Sequence, residues 1–167
     1  RETVFMNAIC TPVVSPASTF APLPHFDRAT YLMCPPEWYD VNYVINPWMA
    51  GNLHQPARDT VFAQWKDLYQ HLQQIADVRL IHARQGSPDM VFIAHAALVQ
   101  HGVAALSSFA HAQRQSEEPH LRKWLQDAGF LVWETPRETC FEGEGDALFD
   151  ADGGHLWAGH GARTCRQ

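Results

Sequence analysis

The feature of this sequence that most restricts its fold is a pattern of one helix followed by three strands, which occurs twice at a spacing of about 52 residues. The run from Leu72 to Leu80 is echoed by the run from Trp124 to Val132. A repeat of this period is typical of small α/β modules in a circular or stacked array, where each module buries its faces against its neighbours. Two modules and part of a preceding one are visible, whereas roughly three or more are usually needed. The sequence therefore predicts an α/β array that is incomplete.

Residue periodicity predicts the individual elements. Apolar residues at three- and four-residue steps predict an amphipathic helix over 58–76. A second helix fits 117–128, with Gly129 as its C-cap. Asp152-Gly153 predicts the turn of a hairpin between the last two strands. Short apolar runs predict strands at 31–34, 78–82, 90–99, 103–107, 130–134, 147–149 and 156–158.

Residues 1–28 differ from the rest of the chain. Four prolines lie between positions 11 and 24 among Ser, Thr and Ala, with neither a helical nor a strand period. No basic segment is followed by an apolar run, so a secretory signal is not expected. We therefore expect 1–28 to be an extended, disordered lead-in and 29–167 to form the folded part.

Composition excludes several classes of function. The chain has 12 Lys and Arg against 18 Asp and Glu, and binding nucleic-acid phosphates needs a net basic face, so we expect no nucleic-acid partner. No apolar run approaches the roughly 18 residues of a membrane span, so no membrane partner is expected either. The four cysteines form no C-x-x-C pair and are too few for a disulfide scaffold. We therefore expect a cytoplasmic protein with reduced thiols and no metal site.

The most unusual segment is Phe-Glu-Gly-Glu-Gly-Asp at 141–146. Residues two apart on an extended chain point to the same side, so Glu142, Glu144 and Asp146 are predicted to share a face. Clustered carboxylates repel one another, and a structure that tolerates them usually holds a cation there. The alternative is a solvated acidic turn.

Two more polar residues stand in apolar surroundings. Asn46 precedes a proline, which forces an extended backbone that could aim the amide into a pocket; the alternative is an Asn-Pro turn with Trp48 in the core. His95 is a lone polar ring within a predicted strand pair. Such a histidine is more often a hydrogen-bonded structural residue than a ligand or a base.

Together these segments resemble the amidinotransferase/dimethylargininase superfamily of guanidine-modifying enzymes, and most of all its arginine dihydrolase-like branch. The resemblance extends from about Tyr31 to the last residues. It is carried by four runs similar to those of the family, namely M-C-P-P to N-P-W-M at 33–49, P-D-M-V-F to L-V at 88–99, F-E-G-x-G-D-A-L at 141–148 and W-A-G-x-G-x-R at 157–163.

The resemblance implies a pentein αβ-propeller, a pseudo-fivefold ring of ββαβ modules around a central pocket. The segment 29–167 would then be the N-terminal portion of that domain, an incomplete ring of about half the modules. The implied reaction is attack of a catalytic Cys on the guanidinium carbon to give an amidino-thioether, with a His relaying protons and no cofactor. The implied substrate-binding residues are Asn46, His95, Glu142, Asp146 and Arg163, the last being available for a substrate carboxylate.

The chain departs from the family pattern in three ways. His95 stands where the family has Asn, and Ser107-Ser108-Phe109 lacks the basic residue of the family's S-R-F. The catalytic His and Cys of the family follow W-A-G-x-G-x-R, whereas this chain ends at Gln167, so we expect no catalytic residue within it.

Three hypotheses follow from these features. The first is that the chain is the N-terminal portion of a hydrolase of arginine or methylarginine. The second is an inactive, truncated or degenerate family member that at most binds guanidine compounds. The third is a purely structural module. The exposed module edge favours association, so a homo-oligomer is a possible arrangement.

Overall fold

The computed structural model describes residues 28–150 and 154–166. Apart from Arg28, the predicted lead-in lies outside these ranges, as does the predicted turn at Asp152-Gly153. The strands and helices follow the predicted order, with one additional short helix, α2. They are β1 (Thr30–Met33), α1 (Arg58–Ile75), β2 (Asp77–Leu80), β3 (Ala97–Gln100), β4 (Val103–Leu106), α2 (Ala112–Gln115), α3 (Glu118–Asp127), β5 (Leu131–Glu134), β6 (Ala147–Phe149) and β7 (Leu156–Ala158).

The strands pair in a way that explains the sequence repeat. β3 and β4 form an antiparallel hairpin, and β5 returns after α3 to lie parallel to β4. This is a complete ββαβ unit. β1 and β2 are parallel and joined through α1, as in the later part of such a unit, and the antiparallel pair β6–β7 matches its beginning. The described residues thus form a mixed α/β structure with one complete unit and parts of two others.

The hydrophobic core lies between α3 and the sheet of β3, β4 and β5. Leu121 and Leu125, one helical turn apart, are the apolar side chains of α3 that are buried, and α3 contacts both β4 and β5. Phe109 and Leu106 are buried in the same cluster. The complete unit therefore holds most of the apolar packing of the described chain.

α1 is the helix that the apolar stripe predicts, but the stripe is only partly covered. Val61, Trp65 and Leu72 are half-buried, whereas no residue of α1 is buried, and Leu68 and Ile75 are 53% and 70% exposed. An 18-residue helix is about 27 Å long, whereas each four-residue strand beside it spans roughly 13 Å, so the β1–β2 pair is too short to cover the stripe. Within 28–150 and 154–166 no helix is long and apolar enough to cross a membrane.

The prediction of a strand over 90–99 is wrong in its first part. Residues Pro88–Val91 and Ile93–His95 form two successive 3₁₀ turns, and the strand begins only at Ala97. Phe92 N–H donates to the Asp89 carbonyl at 3.0 Å, and His95 N–H donates to the Phe92 carbonyl at 3.1 Å. His95 therefore ends a turn rather than sitting within a strand pair, and the apolar run alone did not reveal this difference.

Candidate functional site

A cavity of about 900 Å³ opens beside the complete unit. It lies between the segment 39–56, the 3₁₀ turns that end at His95, and the residues near Glu142 and Arg163. Four of the five predicted substrate-binding residues line it, and Asp146 does not. The polar residues that matter for the site are Asn46, Asp89, His95, Arg114, Glu142 and Arg163.

Glu142 is the central group of this cavity wall. It is 1% exposed, and its Oε2 lies 3.0 Å from Nδ1 of His95, 3.7 Å from Nη1 of Arg114 and 3.8 Å from Nη1 of Arg163. Its other oxygen, Oε1, is buried without a hydrogen-bond partner among the described residues. Burial raises the pKa of Glu142, but the hydrogen bond with His95 and the nearby guanidinium groups outweigh burial and bring that pKa below its ordinary value. Glu142 is thus an ionised carboxylate at the cavity wall, and one of its oxygens is buried and unpartnered among the described residues.

The glycines of the acidic segment are required by close contacts. A Cβ at Gly145 would lie 2.6 Å from the imidazole of His95, so a larger residue would displace the ring. Gly143 has a φ of +53°, and a Cβ there would come within 2.8 Å of the backbone of Ala97. His95 therefore lies between Gly145, which it contacts closely, and Glu142, to which its ring is hydrogen-bonded.

The three acids of this segment do not share a face, which corrects the prediction. Gly143–Gly145 forms a 3₁₀ turn, because the positive φ at Gly143 bends the chain away from the extended form. Glu142 faces the cavity described above. Glu144 points elsewhere: its Oε1 accepts from the N–H of Val99 at 3.4 Å, and it lines a second cavity of about 570 Å³. Asp146 has a third environment.

Asp146 connects the acidic segment to the residues after β7. Nη2 of Arg163 donates to Oδ1 of Asp146 at 2.5 Å, and the hydroxyl of Thr164 donates to Oδ2 at 2.8 Å. The same hydroxyl accepts from the N–H of Glu142 at 3.2 Å. Arg163 therefore contacts both acids that the family resemblance assigns to a substrate guanidinium. Its pairing with a substrate carboxylate stays a prediction.

Asn46 combines parts of its two predicted roles. Its side-chain oxygen accepts from the N–H groups of Trp48 and Met49 at 3.0 and 3.1 Å, which makes it the cap of a local turn. It also lines the cavity. Trp48 is 81% exposed, so the expectation that this tryptophan packs into the core is wrong.

A buried ionic group that was not predicted lies behind Glu142. Arg114 donates through Nε and Nη2 to both carboxylate oxygens of Glu117, at 2.9 and 2.8 Å, and Nη2 also donates to the carbonyl of Asp89 at 3.2 Å. Tyr43 donates to the carboxylate of Asp89 at 2.8 Å. Burial raises the pKa of Glu117 despite its pairing with Arg114. The i, i+3 spacing of Arg114 and Glu117 was a signal of pairing, but nothing in the sequence showed that the pair is buried.

Neither a metal site nor a nucleophile is found at this cavity. Within the described parts of the chain, no three His, Cys, Asp or Glu side chains are arranged to hold a metal ion. The described cysteines Cys34, Cys140 and Cys165 do not line the cavity, and Cys10 lies outside the described residues. Burial raises the pKa of Cys34 to about 12, so this thiol stays protonated.

Comparison with known proteins identifies the relatives of the chain. No protein-family model matches it. The bifunctional arginine dihydrolase/ornithine cyclodeaminase AgrE of Nostoc sp. is 50% identical over 137 residues, which cover 82% of this chain and 20% of that protein. The N(G),N(G)-dimethylarginine dimethylaminohydrolase of Mycobacterium tuberculosis is 35% identical over 136 residues, covering 80% of this chain and 43% of that protein.

Solved structures show the same relationship. ArgZ is a cyanobacterial arginine dihydrolase. Its N-terminal domain, solved with substrate bound, superposes with a TM-score of 0.80 at 50% identity, over 81% of this chain and 50% of that chain. AgrE in complex with L-arginine gives 0.81 at 50% identity, over 82% of this chain and 21% of that chain. A dimethylarginine dimethylaminohydrolase adduct at 20% identity has a TM-score of 0.67 and shows the shared fold alone.

The motifs, the fold and these relatives confirm the resemblance to guanidine-modifying enzymes seen in the sequence. The chain is a homologue of the arginine dihydrolase/ornithine cyclodeaminases and of dimethylarginine dimethylaminohydrolase. It spans about half of the ArgZ domain and smaller shares of the curated relatives just described.

Proposed function

We propose that this chain forms the guanidinium-binding portion of a hydrolase that cleaves a C–N bond of arginine or a methylated arginine. The observation that carries the proposal is Glu142, an ionised carboxylate on the cavity wall whose Oε1 has no partner among the described residues. A guanidinium is a planar cation with five N–H donors, and a buried carboxylate with a free oxygen is a strong partner for it. The cavity is large enough to take an amino acid of this size.

Binding would exchange one guanidinium for another. In the chain as described, the guanidinium of Arg163 lies against Glu142 and Asp146. A substrate guanidinium on Glu142 would replace the weaker of these two contacts, the one of 3.8 Å, and leave Arg163 able to turn toward a substrate carboxylate. Arg163 is exposed, so this movement meets little packing. Nε2 of His95, the ring nitrogen that does not contact Glu142, would accept from a further N–H group of the substrate.

The covalent chemistry follows from the family relationship. A thiolate attacks the guanidinium carbon, the amine leaves with a proton from a His, and an amidino-thioether forms. Water that has given its proton to the same His then attacks the thioether carbon and releases the thiol. No described cysteine lines the cavity. We therefore place the nucleophile and the His in the part of the relatives that this chain does not span.

The complete domain would be a pentein αβ-propeller in which 29–167 is the N-terminal portion. Two observations support this. The chain spans 50% of the ArgZ domain and contains one complete ββαβ unit with parts of two others. Leu148 and Trp157 on the β6–β7 pair are exposed, as expected of a face that the rest of a unit would cover.

A second candidate function is guanidine binding without hydrolysis. His95 favours it, because an imidazole already hydrogen-bonded to Glu142 through Nδ1 offers a substrate fewer acceptors than the amide of the family's Asn. The two candidates differ in turnover only. Both require Glu142.

Calorimetric titration of the chain with L-arginine tests the common requirement. We expect binding that is weakened roughly 10- to 100-fold by Glu142→Gln, because a hydrogen bond to a charged group contributes about 1.5–3 kcal/mol. Glu144→Gln is the matched control, since it lies two residues away but faces the other cavity, and it should leave the affinity within about twofold.

Two outcomes would overturn the proposal. One is no heat of binding at millimolar arginine, and the other is an equal loss of affinity in both variants. Hydrolysis is read separately, as the release of ammonia from arginine or of methylamines from methylated arginines. A longer form of the protein that binds arginine but releases no amine would select the non-catalytic candidate.

A further inference from the structure

Two cysteines outside the cavity lie side by side although they are 25 positions apart in the sequence. The N–H of Cys165 donates to the carbonyl of Cys140 at 2.9 Å. Their thiols are also in hydrogen-bond contact, which raises the pKa of the Cys140 thiol. Residues joined in this way have Cα atoms roughly 5–6 Å apart, within the range that disulfides require. The two cysteines are therefore close enough for a disulfide to be considered.

The pair adjoins the two segments that build the candidate site. Cys140 is two residues before Glu142. Cys165 follows Thr164, whose hydroxyl binds both the N–H of Glu142 and the carboxylate of Asp146. A covalent bond between the cysteines would therefore tie the segment of Arg163 and Thr164 to the segment of Glu142.

Exposure determines which thiol reacts first. Cys165 is exposed and Cys140 is half-buried, so Cys165 is the thiol that an oxidant in solution meets. Cys34 is buried, and its pKa of about 12 keeps it protonated, so it does not compete. Among the three cysteines that the structure describes, Cys165 is thus an accessible thiol with a resolving partner in contact, and Cys34 is an inert thiol that serves as an internal control.

We propose that Cys140 and Cys165 are a dithiol site that a low-molecular-weight disulfide, such as oxidised glutathione, converts into an intramolecular disulfide. The Cys165 thiolate attacks one sulfur of glutathione disulfide, and one glutathione thiolate leaves. The Cys140 thiolate then attacks the Cys165 sulfur of this mixed disulfide, and the second glutathione leaves. Two protein thiols are oxidised and one glutathione disulfide is reduced to two thiols, so the electrons balance.

The test uses the whole chain, incubated natively with excess oxidised glutathione, separated from the glutathione, unfolded in urea for alkylation with iodoacetamide and then digested with trypsin. Cleavage after Arg137, Arg163 and Arg166 places the two cysteines in different peptides. We expect these peptides to be joined, with a mass about 2 Da below their sum. Cys34 should be alkylated, and dithiothreitol should separate the joined peptides.

Variants and a denaturant make the test selective. Cys34→Ser should form the same joined peptides, whereas Cys140→Ser should leave Cys165 carrying one glutathione. In concentrated urea the native adjacency is lost, so joined peptides should decrease and glutathione adducts increase. Adducts alone under native conditions, a link to Cys34, or an equal yield of joined peptides in urea would each overturn the proposal. No arginine is present, so failure here is distinguishable from failure of the proposed function.

The bond should also have a physical effect on the chain. Closing a loop between positions 140 and 165 restricts the unfolded state, so the oxidised chain should melt several degrees above the reduced chain. Cys165→Ser should show no difference between oxidising and reducing conditions. A melting temperature unchanged by a verified link would show that this part of the chain is not folded around the two cysteines.

Discussion

The two long helices of this molecule have opposite environments. α3 is ten residues long and buries Glu118, Leu121 and Leu125, whereas α1 is 18 residues long and buries none. The difference in burial arises from the sheets on which the two helices pack. α3 packs beside three strands of a complete ββαβ unit, and α1 contacts one strand of a two-stranded pair.

The candidate site is built on the buried side of this comparison. Arg114 and Glu117 precede α3, and Arg114 lies 3.7 Å from the carboxylate of Glu142. The charged groups buried there lie against charged or polar partners, which offsets the cost of burying them. α1 buries no charged group, so exposure of its side chains to solvent costs less than it would at the site. Substitutions in the two regions should therefore differ in cost.

The largest contrast is expected from arginine replacement. Arg114→Met leaves Glu117 as an uncompensated buried charge and should lower the free energy of unfolding by about 3–5 kcal/mol. Arg122→Met removes an ion pair with Glu134 that is largely exposed, and should cost about 1 kcal/mol or less. Urea unfolding of the two variants measures the difference. Equal losses would mean that the Arg114 pair is open to water.

Leucine truncation separates the two helices directly. Leu121→Ala should cost about 2–5 kcal/mol, because it removes a buried side chain from the core cluster and leaves a cavity. Leu68→Ala on α1 should change stability by about 0.5 kcal/mol or less, since its side chain is 53% exposed. Thermal or urea unfolding gives both values. A loss above about 2 kcal/mol for Leu68→Ala would show that α1 packs on something that covers its stripe.

A glycine substitution tests the seat of His95. Gly145→Ala places a Cβ against the imidazole and should cost about 1–3 kcal/mol while displacing the ring from Glu142. Gly154→Ala is the control, because nothing lies within 4 Å of its added Cβ. Urea unfolding measures the cost, and the imidazole proton resonances report the displacement. An unshifted ring in a stable Gly145→Ala variant would contradict the contact.

How far the sequence predicts this structure depends on whether the signal is local. α1 was predicted from its apolar spacing and α3 with Gly129 as its C-cap, and the repeat anticipated the paired units, because all of these signals depend on residues near in sequence. The two 3₁₀ turns before β3 were missed, since a short apolar run with a proline fits a strand as well. The separation of Glu142 from Glu144 depends on one positive φ at Gly143.

Most of the predicted site residues line one cavity, but the charged residue that packs behind them was not predicted. Asn46, His95, Glu142 and Arg163 line one cavity, as motif positions in a known family suggested. Arg114 was not foreseen, because its burial depends on Phe109 and Glu117 closing around it in three dimensions. A charged residue in a polar stretch of sequence is normally read as a surface residue.

The smallest expected effect is the dependence of the stability on Glu142 and pH. The groups facing Glu142 are His95, Arg114 and Arg163, and together they outweigh burial and bring its pKa below the ordinary 4.5. A carboxyl whose folded pKa is lowered contributes stability above its unfolded pKa, and this contribution is lost as pH falls through the folded value. The stability difference between wild type and Glu142→Gln should therefore be greatest above pH 4.5 and shrink in more acidic solution.

Glu134 sharpens this last prediction. Its hydrogen bond with Arg122 also lowers its pKa, but its side chain is more than half exposed, and solvent screens the pair. Glu134→Gln should therefore follow the wild-type pH profile closely. Urea unfolding at several pH values from neutral to about pH 3 compares the three proteins. A difference between wild type and Glu142→Gln that stays constant with pH would mean that Glu142 supports the site by its shape, and that the charges around it have no net preference for its ionised form.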